Sequence, residues 1–201
     1  MGPPGGPSGA ASADDDDNDR LSAMFADQTA SATDTQRASV QRWQANDDRF
    51  YQQVQAAVSG ESGVSAGALA VANDLDSLAA PLADDVTVWR GLRNAAVSFQ
   101  GVPLDELESV VGMPQEQQRF VATSLSRQVA EQEFTRPGRS PVLLRITARA
   151  GSPAVWIPPL GTPENAYQQE LLFPPGVVLR ILSIDRTYSV PIVDVEVSDS
   201  G

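Results

Sequence analysis

The chain has 201 residues, 41% of them hydrophobic, a formal net charge of -12, and neither Cys nor His. That length suits one core-forming domain with an extension, and the missing residue types exclude disulfides, thiolate sites, the usual zinc ligand sets and histidine-based triads. The acidic balance disfavours a nonspecific nucleic-acid binder and adsorption to an anionic membrane, and no apolar run approaches the roughly 18 residues of a membrane span.

Residues 1–19, "MGPPGGPSGAASADDDDND", are Gly-, Pro- and Ser-rich and then acidic. They hold nothing to bury, so a disordered tail or linker is expected, with a single domain over 20–201. The four Asp lack the spaced ligands and central Gly of a calcium loop. The opening stretch also lacks the basic and apolar regions of a secretory signal, so export would need another route. From about 20 to 80 the pattern is helical. Val40 and Trp43 share one face, Phe50, Val54 and Ala57 another, with Asn46-Asp47-Asp48 as break and cap and Gly60 as terminator. Leu69, Ala72, Leu75 and Leu78 continue at helical spacing.

After Pro81 strands take over, through about residue 198. "VTVWRGL" (86–92), "RFVATSLS" (119–126), "PVLLRITARA" (141–150), "YQQELLF" (167–173), "VVLRILSI" (177–184) and "IVDVEVS" (192–198) are β-rich. Short helices are expected at 103–112 and 127–134. Helices followed by strands predict an α+β domain rather than a Rossmann repeat, and there is no Gly-rich phosphate loop.

Three of these strands carry polar side chains among apolar neighbours: Arg90, the Thr123-Ser124 pair, and Gln168 with Glu170. If "YQQELLF" is one strand, Tyr167, Gln169, Leu171 and Phe173 share a core-facing side, and Gln168, Glu170 and Leu172 share the other. An Arg followed by Gly offers a guanidinium fork beside accessible backbone, which suits a phosphate or carboxylate. A lone carboxylate in a cleft stabilises nearby positive charge. Taken singly, each has a plain alternative: a surface ion pair, a good β-former, an exposed strand face.

Their order and surroundings carry more. Trp89-Arg90-Gly91, then Phe120-Val121-Ala122-Thr123-Ser124, then Gln168-Gln169-Glu170-Leu171-Leu172 with Pro174-Pro175-Gly176 together resemble the mono-ADP-ribosyltransferases of the Arg–Ser–Glu class, the group of the binary actin-modifying toxins and the Rho-modifying exoenzymes. The resemblance spans about residues 36–190. It implies N-terminal helices packed on a two-sheet β core with an NAD cleft. It also implies an NAD-dependent enzyme that breaks the nicotinamide–ribose bond and passes ADP-ribose to an acceptor, with NAD as substrate and no metal.

By the same resemblance, Glu170 is the catalytic carboxylate, accompanied by Gln168. Arg90, Gly91, Thr123, Ser124, Phe134 and Arg136 are the NAD-binding positions, and Tyr167 and Gln168 face the acceptor. Two departures stand out. Ala122 replaces the first Ser of Ser-Thr-Ser, whose hydroxyl orients the catalytic Glu in the family. Its absence implies either weaker activity or a substitute hydroxyl from Thr123 or Ser126. Gln168 replaces the first acid of Glu-x-Glu, which tilts acceptor choice away from arginine; an amide can hold an amide acceptor in register. A protein acceptor is expected, with a delivery or carrier protein as a further partner and no membrane, and a nucleic-acid acceptor stays open. The implied setting is secretion or injection into a target cell, or a phage-borne enzyme acting in host cytoplasm. Two alternatives remain at this point: an NAD glycohydrolase, and a catalytically degenerate module that binds NAD or a partner.

Overall fold

The computed structural model describes residues 13–45, 49–134 and 140–200. Helices come first: α1 (Ala13–Met24), α2 (Ala26–Ser31), α3 (Asp34–Gln44), α4 (Phe50–Val58) and α5 (Ala66–Leu78). Thr33 caps α3 in a reciprocal capping box with Gln36, and the Ser65 hydroxyl accepts from the Ala68 amide at the start of α5. Gly60 ends α4 at φ 71°, with its own N–H and that of Glu61 donating to the carbonyls of Ala57 and Ala56.

The extension departs from expectation. Chain expected to be disordered through residue 19 is helical from Ala13, while residues 1–12 lie outside the described ones. The Asp run falls in the first turns of α1. Leu21, and Phe25 just beyond the helix, are each 1% exposed and anchor it in the β core. The expected break at Asn46-Asp47-Asp48 also lies outside the described residues.

The strands are β1 (Ala80–Pro81), β2 (Val86–Leu92), β3 (Pro114–Glu116), β4 (Val121–Ser124), β5 (Val142–Ala148), β6 (Pro153–Trp156), β7 (Glu170–Phe173), β8 (Val178–Asp185) and β9 (Ile192–Ser198). Their spatial order is β1-β6-β7-β4-β2-β5-β9-β8-β3, with β5 and β9 parallel and the other neighbours antiparallel. The two halves, β1-β6-β7-β4 and β2-β5-β9-β8-β3, meet at a single register pair, Trp89 with Ser124. The α+β class is as expected, and the two-sheet core takes the form of these halves. A helix α6 (Arg127–Phe134) follows β4. The segment around Leu104–Val110 is 3₁₀ rather than α-helical, with Pro103 as its N-cap.

One apolar cluster fills the space between the halves: Val86, Val88, Leu144, Ile146, Val193 and Val195 meet Trp156, Leu171 and Phe173. A second lies on the outer face of β6 and β7, where Val155 and Leu172 pack against Trp43, Val54 and Leu75 of the helices. Ala130 of α6 covers Leu143 and Ile192 on the other half. Along α5 the buried side is Ala68, Val71, Ala72, Leu75 and Leu78; Leu69, expected in the stripe, is 47% exposed because it falls one residue off that face.

Gln28 ties the helices to the sheet. Its Nε2 donates to the carbonyls of Leu78 (2.8 Å) and Ala154 (3.1 Å), and its Oε1 accepts from the Trp156 amide at 3.0 Å. On β9 the alternation expected from sequence holds. Val193, Val195 and Val197 are buried, while Asp194 and Glu196 take ion pairs from Arg145 (2.6 Å) and Arg149 (2.7 Å). Among the described residues no helix is long and apolar enough to cross a membrane.

Candidate active site

Strand register brings the three polar islands side by side. Trp89 of β2 faces Ser124 of β4, and Ser124 faces Glu170 of β7, so the three motif-bearing strands are consecutive. Glu170 opens β7 at 8% exposure, on the side covered by α3. Its Oε1 accepts from Trp43 Nε1 at 2.9 Å. Burial raises the Glu170 pKa above the ordinary carboxylate value, while the Trp43 and Gln44 hydrogen bonds and the Arg90 charge pull it back.

Arg90 follows Trp89 at the junction of the two halves. Its Nη1 donates to the Ala122 carbonyl at 2.6 Å, while its Nε is buried without a partner. Burial pushes this guanidinium down to about 10, with the Glu170 charge acting against that shift. Beside it opens a cleft of about 440 Å³, lined by Tyr51, Gln52 and Gln55 of α4 and by Gln117, Arg119 and Phe120 ahead of β4. A wider cleft of about 880 Å³ lies against Trp89, Leu125, Ser126 and the α6 residues Arg127 and Gln128. Arg127 sits 5.3 Å over the Trp89 ring. A half-buried cation with an orphaned donor fits an anionic ligand such as a pyrophosphate; the Glu170 carboxylate lies two strands away, beneath α3.

The hydroxyls of β4 are already engaged. Thr123 Oγ1 donates to the Leu171 carbonyl at 2.6 Å; Ser124 Oγ donates to the Gln168 carbonyl at 2.6 Å and accepts from the Ser126 amide at 3.0 Å. They fasten β7 and the turn before it. Neither they nor Ser126, whose Oγ accepts from Val129, supplies a hydrogen bond to Glu170; Trp43 does.

The strand expected over 167–173 begins only at Glu170. Pro163–Gln168 form a 3₁₀ turn with Pro at its start, and Gln169 closes it in the left-handed region at φ 44°. Pro pre-sets the turn's first φ and Gln169 swings the chain into β7, so the alternating faces read from "YQQELLF" do not apply. Gln168 and Glu170 therefore share no strand face, and Tyr167, which that parity would bury, is 56% exposed. All four residues of β7 are buried, since the strand is covered on both sides. Gly91 is buried opposite Leu143, Phe134 ends α6, and Arg136 lies outside the described residues. Sequence reasoning placed Trp43 in the core alone and passed over Gln44, Gln55 and Arg119. Helical periodicity marks which face is covered, and it does not mark what lies beneath. No group of three His, Cys, Asp or Glu able to hold a metal occurs among the described residues.

No protein-family profile matches the chain, and no curated protein matches it in sequence. Solved structures do. Plx2a, an ADP-ribosyltransferase toxin from Paenibacillus larvae, superposes with a TM-score of 0.71 at 14% identity, over 92% of this chain and 96% of its own. The ADP-ribosylating toxin BECa of a Clostridium perfringens binary enterotoxin, solved with NADH, gives 0.69 at 14% identity, over 90% of this chain and 48% of its own. Vis toxin, an ADP-ribosyltransferase from Vibrio splendidus, gives 0.62 at 19% identity, over 96% and 89%; it has also been solved with agmatine. The chain has the fold of the mono-ADP-ribosyltransferase toxins and exoenzymes.

Proposed function

We propose that the chain is a mono-ADP-ribosyltransferase that breaks the nicotinamide–ribose bond of NAD and transfers ADP-ribose to a protein acceptor, as an effector acting in a target cell. The observation that carries this reading is the β2-β4-β7 succession, which sets an under-partnered guanidinium in the lining of a cleft and a buried carboxylate two strands away. The toxin neighbours, one of them solved with a nicotinamide dinucleotide, support it.

In this reading Arg90 holds the pyrophosphate, using the Nε that has no partner of its own, and Gly91 keeps the adjacent backbone open to the ligand. Glu170 hydrogen-bonds the ribose and stabilises the positive charge that grows as nicotinamide leaves, an oxocarbenium-like situation shared with glycoside hydrolysis. Thr123 and Ser124 fix β7 so that the carboxylate is preorganised. One such group is worth about 100- to 1000-fold in rate. Gln168, at the end of the turn that exposes Tyr167, would meet the acceptor. Its amide suits an amide-bearing side chain, whereas the Vis complex with agmatine presents a guanidinium.

Nicotinamide release from NAD, followed with and without a target-cell lysate, tests the proposal. Transfer predicts slow release alone and stimulation by lysate, with label appearing on protein. Rapid release that lysate leaves unchanged would assign the chain to NAD hydrolysis instead, and label on nucleic acid would replace the protein acceptor.

A further inference from the structure

We propose that Trp43 and Gln44, adjacent residues at the end of α3, are the positioning residues for the Glu170 carboxylate, and that Gln44 couples it to the turn that carries Tyr167 and Gln168. The inference rests on the functional reading above for its catalytic meaning, and on geometry for the rest. Trp43 Nε1 donates to Glu170 Oε1 at 2.9 Å, and the Gln44 side chain next to it lowers the pKa of the same carboxylate. Gln44 then does a second thing: its Oε1 accepts from the Thr162 amide at 3.1 Å. With Oε1 taken by an N–H donor, its Nε2 is the end that can donate to the carboxylate.

Thr162 is the N-cap of the 3₁₀ turn Pro163–Gln168, whose other end leads through Gln169 into Glu170. One amide therefore joins the start of that turn to the carboxylate just past its end. Gly161 is what lets it in. A Cβ there would lie 2.9 Å from the Gln44 side-chain carbon and closer still to its oxygen, so any larger residue must push Gln44 away. Trp43 is itself held, edge-on to Tyr51 at 6.4 Å and against Phe120 at 5.7 Å. Ala122, a diagonal neighbour of Glu170 across the β4–β7 ladder, offers no donor. Arg90 of β2 is the charged side chain acting on the carboxylate, and Tyr51 of α4 is the titratable group against Trp43.

Losing a donor to a buried carboxylate favours its protonated form. Trp43→Phe, which keeps a ring, and Gln44→Leu should each lower the rate of nicotinamide release about tenfold, as expected for one charge-assisted hydrogen bond. Both should also move the acidic limb of the rate profile to higher pH and leave the Kd for NAD within about twofold. Gly161→Ala should reproduce the Gln44→Leu profile. Residues that merely pack would change the thermal midpoint and leave the acidic limb in place.

A second readout needs no activity. In the parent, the Trp43 indole N–H resonance should titrate with Glu170 and should stop titrating in Glu170→Gln. In Gln44→Leu and in Gly161→Ala its midpoint should rise. An indole signal that ignores pH, or midpoints equal in parent and variants, overturns the proposal. An indole that titrates as described in a protein that releases no nicotinamide leaves the clamp standing and removes the transferase reading.

Discussion

Arg90→Met keeps an apolar stem in place and removes the guanidinium, and its effects on folding and on ligand binding run in opposite directions. Burial holds that guanidinium at about 10, a desolvation penalty on the order of 3 kcal/mol. Removing the charge relieves the penalty. It also loses the 2.6 Å hydrogen bond to the Ala122 carbonyl, worth about 1.5–3 kcal/mol for a charged donor. The two nearly cancel, so the thermal midpoint should move by less than about 5 °C. Binding has no such compensation. A pyrophosphate held by the fork loses at least one charge-assisted hydrogen bond, and calorimetry should show Kd for NAD weakened at least about tenfold. An unchanged Kd, or a variant that fails to fold, would refute the reasoning.

Glu170 should write its raised pKa into both activity and stability. Activity should fall as pH drops through that value, which lies above the ordinary glutamate figure. A carboxyl with a raised folded-state pKa contributes stability that is fully present below its unfolded value and is lost as pH rises through the folded one. Urea unfolding at a series of pH values should show that slope in the parent and a flatter one in Glu170→Gln; identical slopes would contradict the assignment. Gln28→Leu orphans two carbonyls and the Trp156 amide, and should cost at least about 3 kcal/mol, roughly 6–12 °C in thermal midpoint. A loss under about 1 kcal/mol would mean those groups find other partners. Gln168→Glu should shift the modified residue towards arginine, which mass-spectrometric mapping of labelled protein would reveal; an unchanged residue type would take acceptor choice away from position 168.

The elements that could be read from sequence are those whose local chemistry and burial agree. Val86–Leu92 and Ile192–Ser198 are strands over the ranges that β-rich composition and alternation respectively indicate, and α4 closes at Val58, just ahead of the Gly60 its composition marks as terminator. Pattern failed where tertiary contact decides. The Asp-rich stretch looks like linker, yet it becomes α1 because Leu21 and Phe25 dock far away in the β core. In "YQQELLF" a period of two was legible while the left-handed Gln169 was not, so the turn and the strand merged into one element. At the candidate site, order along the chain named Arg90, Ser124 and Glu170 as candidates, and their strands lie side by side. Trp43, the α3 partner of Glu170, is 127 residues away in sequence from it, and a Trp on an apolar helix face gives no sign of the carboxylate beneath it.

The most direct measurement is transfer of label from biotinylated NAD to macromolecules in a target-cell lysate, by the parent and by Glu170→Gln side by side. A discrete labelled protein band with the parent, reduced about 100- to 1000-fold in initial rate by the substitution while NAD still binds, is the expected result. Equal labelling by the two proteins would contradict the role given to this carboxylate, and with it the account of how the three strands form one site.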